Sequence, residues 1–209
     1  MCKEIEWRFE KRIIPYESSH KPMKKRVENI INGSASELIW LLEHQEIYTA
    51  GTSAKFKDLL NPNKFSIYKV ERGGQYTYHG PGQRVVYVML DIRKRSQNLR
   101  EFVWLIEEWI IKTLQTFDIK GERNEGNIGI WVKDKEEELK KIAAIGIRIR
   151  KWITYHGFSI NFNTNISGYD GIVPCGISNK RITSMHLLGP KIERLDLDKA
   201  IKENFKQVF

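Results

Sequence analysis

Apolar residues recur along this chain at two spacings, and the alternation between them sketches the elements. A loosely alternating stretch over residues 5–15 stops at Pro15, as an edge strand would. From Ser18 to Asn32 the apolar positions Met23, Val27, Ile30 and Ile31 fall three or four apart, predicting a helix capped by Ser18 or Ser19 and ended by Asn32-Gly33. Glu37 to His44 is a short apolar run and predicts a buried strand, and Ile47 to Gly51 predicts a further piece of sheet or a turn. Residues 52–64 are polar and carry Asn61-Pro62-Asn63, a loop. Ser66–Val70 and Arg84–Asp91 read as strands on either side of a glycine-rich segment. The widest apolar stripe, Phe102, Leu105, Ile106, Trp109, Ile110, Thr113, Leu114 and Phe117, predicts a helix over Leu99–Phe117 whose aromatics belong to the core. Ile130–Val132, Lys141–Ile149 and Trp152–Asn163 predict three more strands, with a charged hairpin tip over Lys133–Lys140. Thr164–Gly176 is an irregular loop, Ile182–Ser184 opens a short helix, and a last amphipathic helix runs to Phe209.

Strands and helices are mixed without strict alternation, which favours an α+β fold, a mixed β-sheet with packed helices, over a doubly wound sheet. No repeat, low-complexity segment or linker interrupts the 209 residues, so one domain over 1–209 is expected. Hydrophobic content of 41% is that of a globular chain. No apolar run approaches the roughly 18 residues of a membrane span, and the first residues, Met1-Cys2-Lys3-Glu4, lack a secretory signal core. A cytoplasmic protein that does not enter the membrane is the expectation. The net charge of +9 favours an acidic partner, either nucleic acid or an acidic protein domain. The basic residues are scattered, with no tract that would act as a nucleic-acid arm.

The segment Arg72-Gly73-Gly74-Gln75-Tyr76-Thr77-Tyr78-His79-Gly80-Pro81-Gly82-Gln83 cannot be a helix interior. It is either a glycine-rich hairpin or a backbone surface that a ligand approaches closely. A strand leads into it and a strand leaves it, which argues against a phosphate-binding turn, because those need a helix N-terminus. Three other features can carry chemistry. Cys175, between Pro174 and Gly176, is either an exposed nucleophile or a small buried hydrophobe. Lys141 opens a strand of small residues, Ile142-Ala143-Ala144-Ile145-Gly146; it either lowers the pKa of a nearby thiol or is a solvated hairpin lysine. His79 is a proton acceptor, an orienting group or a loop histidine, and His44, His156 and His186 are weaker candidates. Two cysteines, with no Cys-x-x-Cys, give no disulfide framework and no zinc site. Taken together, the glycine-rich loop, the lysine and the cysteine suggest acyl transfer through a thioester.

Arg72-Gly73-Gly74-Gln75 with Thr77-Tyr78-His79-Gly80-Pro81-Gly82-Gln83, then Lys141-Ile142-Ala143 with Gly146, His156-Gly157 with Asn161, Pro174-Cys175-Gly176 and Thr183-Ser184 resemble the lipoyl(octanoyl) transferase family in order and spacing. The resemblance implies a fold shared with biotin and lipoate protein ligases. It implies transfer of an octanoyl group from octanoyl-acyl carrier protein to a lysine of a lipoyl domain, on 2-oxoacid dehydrogenase subunits or the glycine-cleavage carrier protein. Carried over, Cys175 is the acyl-accepting nucleophile and Lys141 lowers its pKa. Arg72, Gly73, Gly74, Gln75, Tyr76, Thr77, Tyr78 and His79 form a substrate-binding loop, and Ala144, Ile145, Gly146, Gly157, Phe158 and Ser159 line the acyl site. No metal, cofactor or ATP is implied, because the donor is already a thioester. The chain departs from the family pattern after His44, at Asn165 where Asp is usual, and at Gly168-Tyr169. The competing readings are an ATP-dependent lipoate or biotin ligase, which needs no loop thiol, a cysteine hydrolase using Cys175 and His79, and a basic nucleic-acid-binding module.

Overall fold

The computed structural model describes residues 4–96, 98–174 and 181–209. In chain order the elements are β1 (Glu6–Ile13), α1 (Tyr16–Ile31), β2 (Leu38–Glu43), β3 (Ile47–Ala50), β4 (Ser66–Lys69), β5 (Tyr76–His79), β6 (Gln83–Met89), α2 (Leu99–Gln115), β7 (Glu122–Arg123), β8 (Ile130–Lys133), β9 (Leu139–Arg150), β10 (Ile153–Asn161), α3 (Met185–Leu188) and α4 (Arg194–Phe205). A large sheet has the order β1-β2-β6-β10-β9-β8-β7, and a small one the order β4-β3-β5. Within the large sheet β1 runs parallel to β2, and the other neighbours are antiparallel. This is the expected α+β arrangement.

Alternation along the central strands sorts side chains to two cores. Ile39 and Leu41 of β2, Val86 and Val88 of β6, and Phe158 and Ile160 of β10 face α2 and α4. Leu38, Trp40, Leu42, Val85, Tyr87 and Met89 face Met23 and Val27 of α1. Trp109 of α2 is fully buried in the first core, and its indole N–H donates to the carbonyl of Ile201 at 2.7 Å, tying α2 to α4. Arg84 of β6 makes a two-pronged ion pair with Asp198 of α4, at 2.7 and 2.8 Å, with the Arg84 side chain wholly buried.

Several boundaries differ from the sequence expectation. The first helix starts at Tyr16, two residues early, with Pro15 as its cap. Proline, which has no N–H to satisfy, supplies the extended entry here. Ser18 and Ser19 therefore lie inside the helix, and the Ser19 hydroxyl donates back to the Tyr16 carbonyl at 2.7 Å. The glycine-rich segment is not one connection, because its second half, Tyr76–His79, is β5, paired antiparallel with β3. The strands flanking it, β4 and β6, belong to different sheets. The last helix ends at Phe205, where turns at Gln207 and Val208 fold Phe209 back to stack on Phe205 with ring centres 4.8 Å apart. Among the described residues no helix is long and apolar enough to cross a membrane.

Candidate active site

The α1-facing side of the large sheet is partly roofed by the small sheet and by the loop between β4 and β5. A narrow cavity of about 60 Å³ lies between them. Its floor is Ala144, Ile145 and Gly146 of β9 and Gly157, Phe158 and Ser159 of β10. Its roof is Arg72, Gly73, Gly74, Thr77 and His79, with Thr49 of β3 and Tyr16 of α1. The segments expected to form a binding loop and an acyl site therefore meet around one slot. Tyr76 and Tyr78 point away from it, into an apolar cluster with Tyr48, Tyr169 and Ile172. Gln75 does not line it either.

Glycine at 146 leaves open the space that a side chain would fill, and glycine at 157 is required by the close approach of β6. Gly146 and Gly157 are cross-strand partners. A Cβ on Gly146 would lie 2.9 Å from Cδ of Arg72, and one on Gly157 would lie 2.1 Å from the Val86 carbonyl oxygen. Arg72 is held over Gly146 by three hydrogen bonds: to the Thr49 carbonyl at 2.8 Å, to Thr49 Oγ1 at 2.7 Å and to the Gly73 carbonyl at 2.9 Å. A long, flexible side chain is thereby fixed as a wall.

Histidines cluster behind this wall. His44 Nδ1 lies 2.7 Å from the Ile14 carbonyl, so it carries the proton, and Nε2 accepts from the Tyr87 hydroxyl at 2.8 Å. His79 Nδ1 lies 2.6 Å from Gln83 Oε1, and its Nε2 lies 3.4 Å from Thr49 Oγ1. Burial, reinforced by neighbouring His44 and Arg72, pushes the His79 imidazole down to about 3. Burial alone carries His44 down to about 4. A ring that resists protonation this strongly is a poor proton acceptor at neutral pH. The hydrogen bonds of His79 suit an orienting role.

From His79 a polar chain runs toward Lys141. The Gln83 amide donates to Asn161 Oδ1 and to the Tyr169 hydroxyl, both at 2.9 Å. Asn161 donates to the Thr183 carbonyl at 3.0 Å, and the Thr183 N–H donates to the Lys141 carbonyl at 3.0 Å. Lys141 is 5% exposed, not a solvated hairpin residue. Its ammonium donates to the Ile128 carbonyl at 2.7 Å and lies 5.6 Å from the centre of the Trp131 ring. It sits on β9 beyond the Ala144–Ser159 end of the slot. Cys175 lies outside the described residues. On one side of its segment, Val173 donates to the Asp58 carbonyl at 2.7 Å; on the other, Ile182 bridges to Lys141. The flanking chain thus returns beside the lysine. Asn165, the departure from Asp, still caps its turn, accepting from the Ser167 N–H at 3.2 Å. Tyr169, another departure, belongs to the Gln83–Asn161 network.

Sequence reasoning missed Thr49, Tyr16 and Tyr87 as parts of this site and ranked His44, which backs it, only as a weaker candidate. Nothing in the local sequence of Thr49, Tyr16 and Tyr87 marks them, since pairing between distant strands and the packing of α1 bring them to the slot. A much larger hollow of about 1010 Å³ lies elsewhere, lined by Asp118, Lys120, Lys133, Lys135 and Asp196. It is open and charged and contains none of the candidate residues.

The chain matches the lipoyl protein ligase A/B catalytic domain over residues 15–206. It is 49% identical over 213 residues to the octanoyltransferase of Bartonella tribocorum, covering 98% of this chain and 87% of that protein. The octanoyltransferase of Chelativorans is 47% identical, with the same coverage. Solved structures share the fold at low identity. A chain from a structural analysis of a bi-partite lipoate protein ligase and its E2 lipoyl domain from Thermoplasma acidophilum superposes with TM-score 0.71 at 13% identity, covering 98% of this chain and 84% of that one. A biotin acetyl coenzyme A carboxylase synthetase from Helicobacter pylori gives 0.57 at 8%, covering 99% and 76%. By family match, sequence likeness along nearly the whole chain and shared fold, this chain is a member of the lipoyl protein ligase A/B catalytic-domain family and one of its octanoyltransferases, an acyltransferase of protein lipoylation.

Proposed function

We propose that the chain moves an octanoyl group from octanoyl-acyl carrier protein to a lysine of a lipoyl domain, by way of a thioester on Cys175. The observation that carries this reading is the slot itself. It is narrow, floored by two paired glycines, closed by a pinned arginine, and runs along β9 toward a buried lysine. Such a cavity suits one unbranched apolar chain with its reactive end toward Lys141.

In the first half-reaction the Cys175 thiolate attacks the thioester carbonyl, and the carrier thiolate leaves and takes up a proton. In the second, the neutral amine of the acceptor lysine attacks the enzyme thioester. The amide forms, the Cys175 thiolate leaves, and the amine proton is released. The ammonium of Lys141 favours the thiolate in both halves. The Gln83–Asn161–Thr183 network sets the position of the Lys141 strand relative to the slot. Lipoyl domains of 2-oxoacid dehydrogenase subunits or the glycine-cleavage carrier protein are the proposed acceptors, and the net charge of +9 suits acidic partners. No metal or nucleotide enters these steps, since the donor thioester supplies the driving force.

The test is transfer from octanoyl carrier protein to a lipoyl domain without ATP, read by intact mass of the acceptor. Octanoylation in the absence of ATP supports the proposal. A strict requirement for ATP with free octanoate would make the chain a ligase, and release of free octanoate with no acceptor product would make it a hydrolase.

A further inference from the structure

His156 has no part in the steps above, yet two unfavourable features meet at it. Its backbone takes φ +57° inside β10, in the left-handed region that non-glycine residues avoid. Its Nε2 is buried and has no hydrogen-bond partner in the protein, and the residue is 3% exposed. Strain and an unsatisfied buried polar atom persist together where function demands them.

The strain has a visible consequence. Successive side chains of a strand point to opposite faces. Here Tyr155 and His156 stack instead, with ring centres 5.2 Å apart and planes 30° apart. The left-handed residue turns the imidazole to the α1 side, where its ring centre lies 6.1 Å from that of His20 of α1 and 6.2 Å from that of Tyr87, while the backbone N–H of His156 donates to Met23 Sδ at 3.3 Å. There it lines the slot beside Gly157. Burial first, then Arg72, carry the ring down to about 3, so it is neutral.

Its place along the slot follows from strand register. His156 pairs with Ile147, and Lys141 lies six residues earlier on the same strand. The slot itself begins at Ala144, three residues and about 10 Å from Ile147 at ~3.3 Å per residue, with Lys141 a further three residues outside that end. An acyl chain with its reactive carbon toward Lys141 therefore has its tail toward His156. Arg72 covers Gly146 at that same end.

We infer that His156 is the residue that limits the length of the acyl chain, ending the slot with an imidazole edge whose free Nε2 makes its last stretch polar. The inference rests on the acyl-transfer reading. A chain longer than the slot must push the ring aside or bury further methylenes against an unsatisfied nitrogen.

The experiment is a competition. Equimolar six-, eight-, ten- and twelve-carbon acyl carrier proteins are offered to the parent, His156→Asn and His156→Gly, and the acyl-enzyme species are read by intact mass. Asparagine and glycine both accept the left-handed backbone, so the fold is retained. The expected result is a rise of about tenfold in the twelve- to eight-carbon ratio for His156→Gly, and a smaller rise for His156→Asn. Ratios within about twofold of the parent in folded variants overturn the inference while leaving acyl transfer intact. Should the variants not fold, the parent alone decides: loading must fall sharply beyond one chain length, and a flat profile overturns the inference. A parent that loads no acyl chain overturns the acyl-transfer reading itself, and the inference with it.

Discussion

Replacing Gly146 by alanine adds one methyl group at the tightest point of the slot. Its Cβ would stand 2.9 Å from Arg72 Cδ and 3.4 Å from the Gly73 carbonyl oxygen. Carbon atoms rest at roughly 3.5–4.0 Å, so the arginine has to retreat by more than half an ångström. Its three hydrogen bonds to Thr49 and Gly73 resist that. Overpacking of this kind costs ~1–3 kcal/mol. The lost freedom of the unfolded chain returns ~0.4–1 kcal/mol. The net is a loss of about 1–2 kcal/mol, or a fall in Tm of about 2–8 °C for a chain of this size. The effect on acyl loading is larger. The methyl and the displaced arginine exclude about two methylenes from burial, worth ~0.8 kcal/mol each, which lowers the rate of octanoyl loading by about 15-fold. Single-turnover loading by intact mass, alongside thermal unfolding, measures both. Gly33→Ala is the control: it has φ +74° and no atom within 4 Å of its Cβ, so it loses stability without losing loading. Octanoyl loading by a folded Gly146→Ala variant within about twofold of the parent would refute the geometry assigned to the slot.

Other expectations concern charge. His44, His79 and His156 are held at about 4, 3 and 3, below the ordinary value of 6.5. Between those values the unfolded chain binds more protons than the folded one, so stability is fully present above pH 6.5 and drains away as pH falls. Treated independently, the three withdraw up to about 4 kcal/mol by pH 5.5, and a denaturant midpoint unchanged from pH 8 to pH 5.5 would contradict the burial described. Arg84→Met leaves Asp198 buried without its partner and is expected to cost ~3–5 kcal/mol by denaturant unfolding, while Arg84→Met/Asp198→Leu recovers most of that. A single-variant loss under about 1 kcal/mol would contradict it. Lys141→Met should move the thiol titration of Cys175, followed by alkylation rate in a Cys2→Ser background, to higher pH. An unchanged titration removes Lys141 from thiol activation.

The elements were readable because burial imposes periodicity. The α2 stripe and the alternating β2, β6 and β10 strands face two cores, and each residue's side follows from spacing alone. Boundaries were less legible where local preference met tertiary demand. Pro15 took the cap that Ser18 or Ser19 offered, and Tyr76–His79 joined a strand pair that no local pattern announces. At the site, the glycines and Lys141 carried visible signals, since few residues allow so close an approach or occupy a strand of small neighbours. Thr49 and Tyr16 carried none, because a threonine that anchors an arginine looks like any other strand threonine. His156 was visible as a letter beside Gly157, but its positive φ and unpartnered nitrogen exist only in three dimensions.

The central claim is that the octanoyl group rests on Cys175 between donor and acceptor. Incubation of the chain with octanoyl-acyl carrier protein, followed by intact mass and peptide mapping, tests it directly. The account predicts one octanoyl adduct on Cys175, discharged when a lipoyl domain is added and absent in Cys175→Ala. A Cys175→Ala variant that octanoylates a lipoyl domain at the parent rate would contradict it.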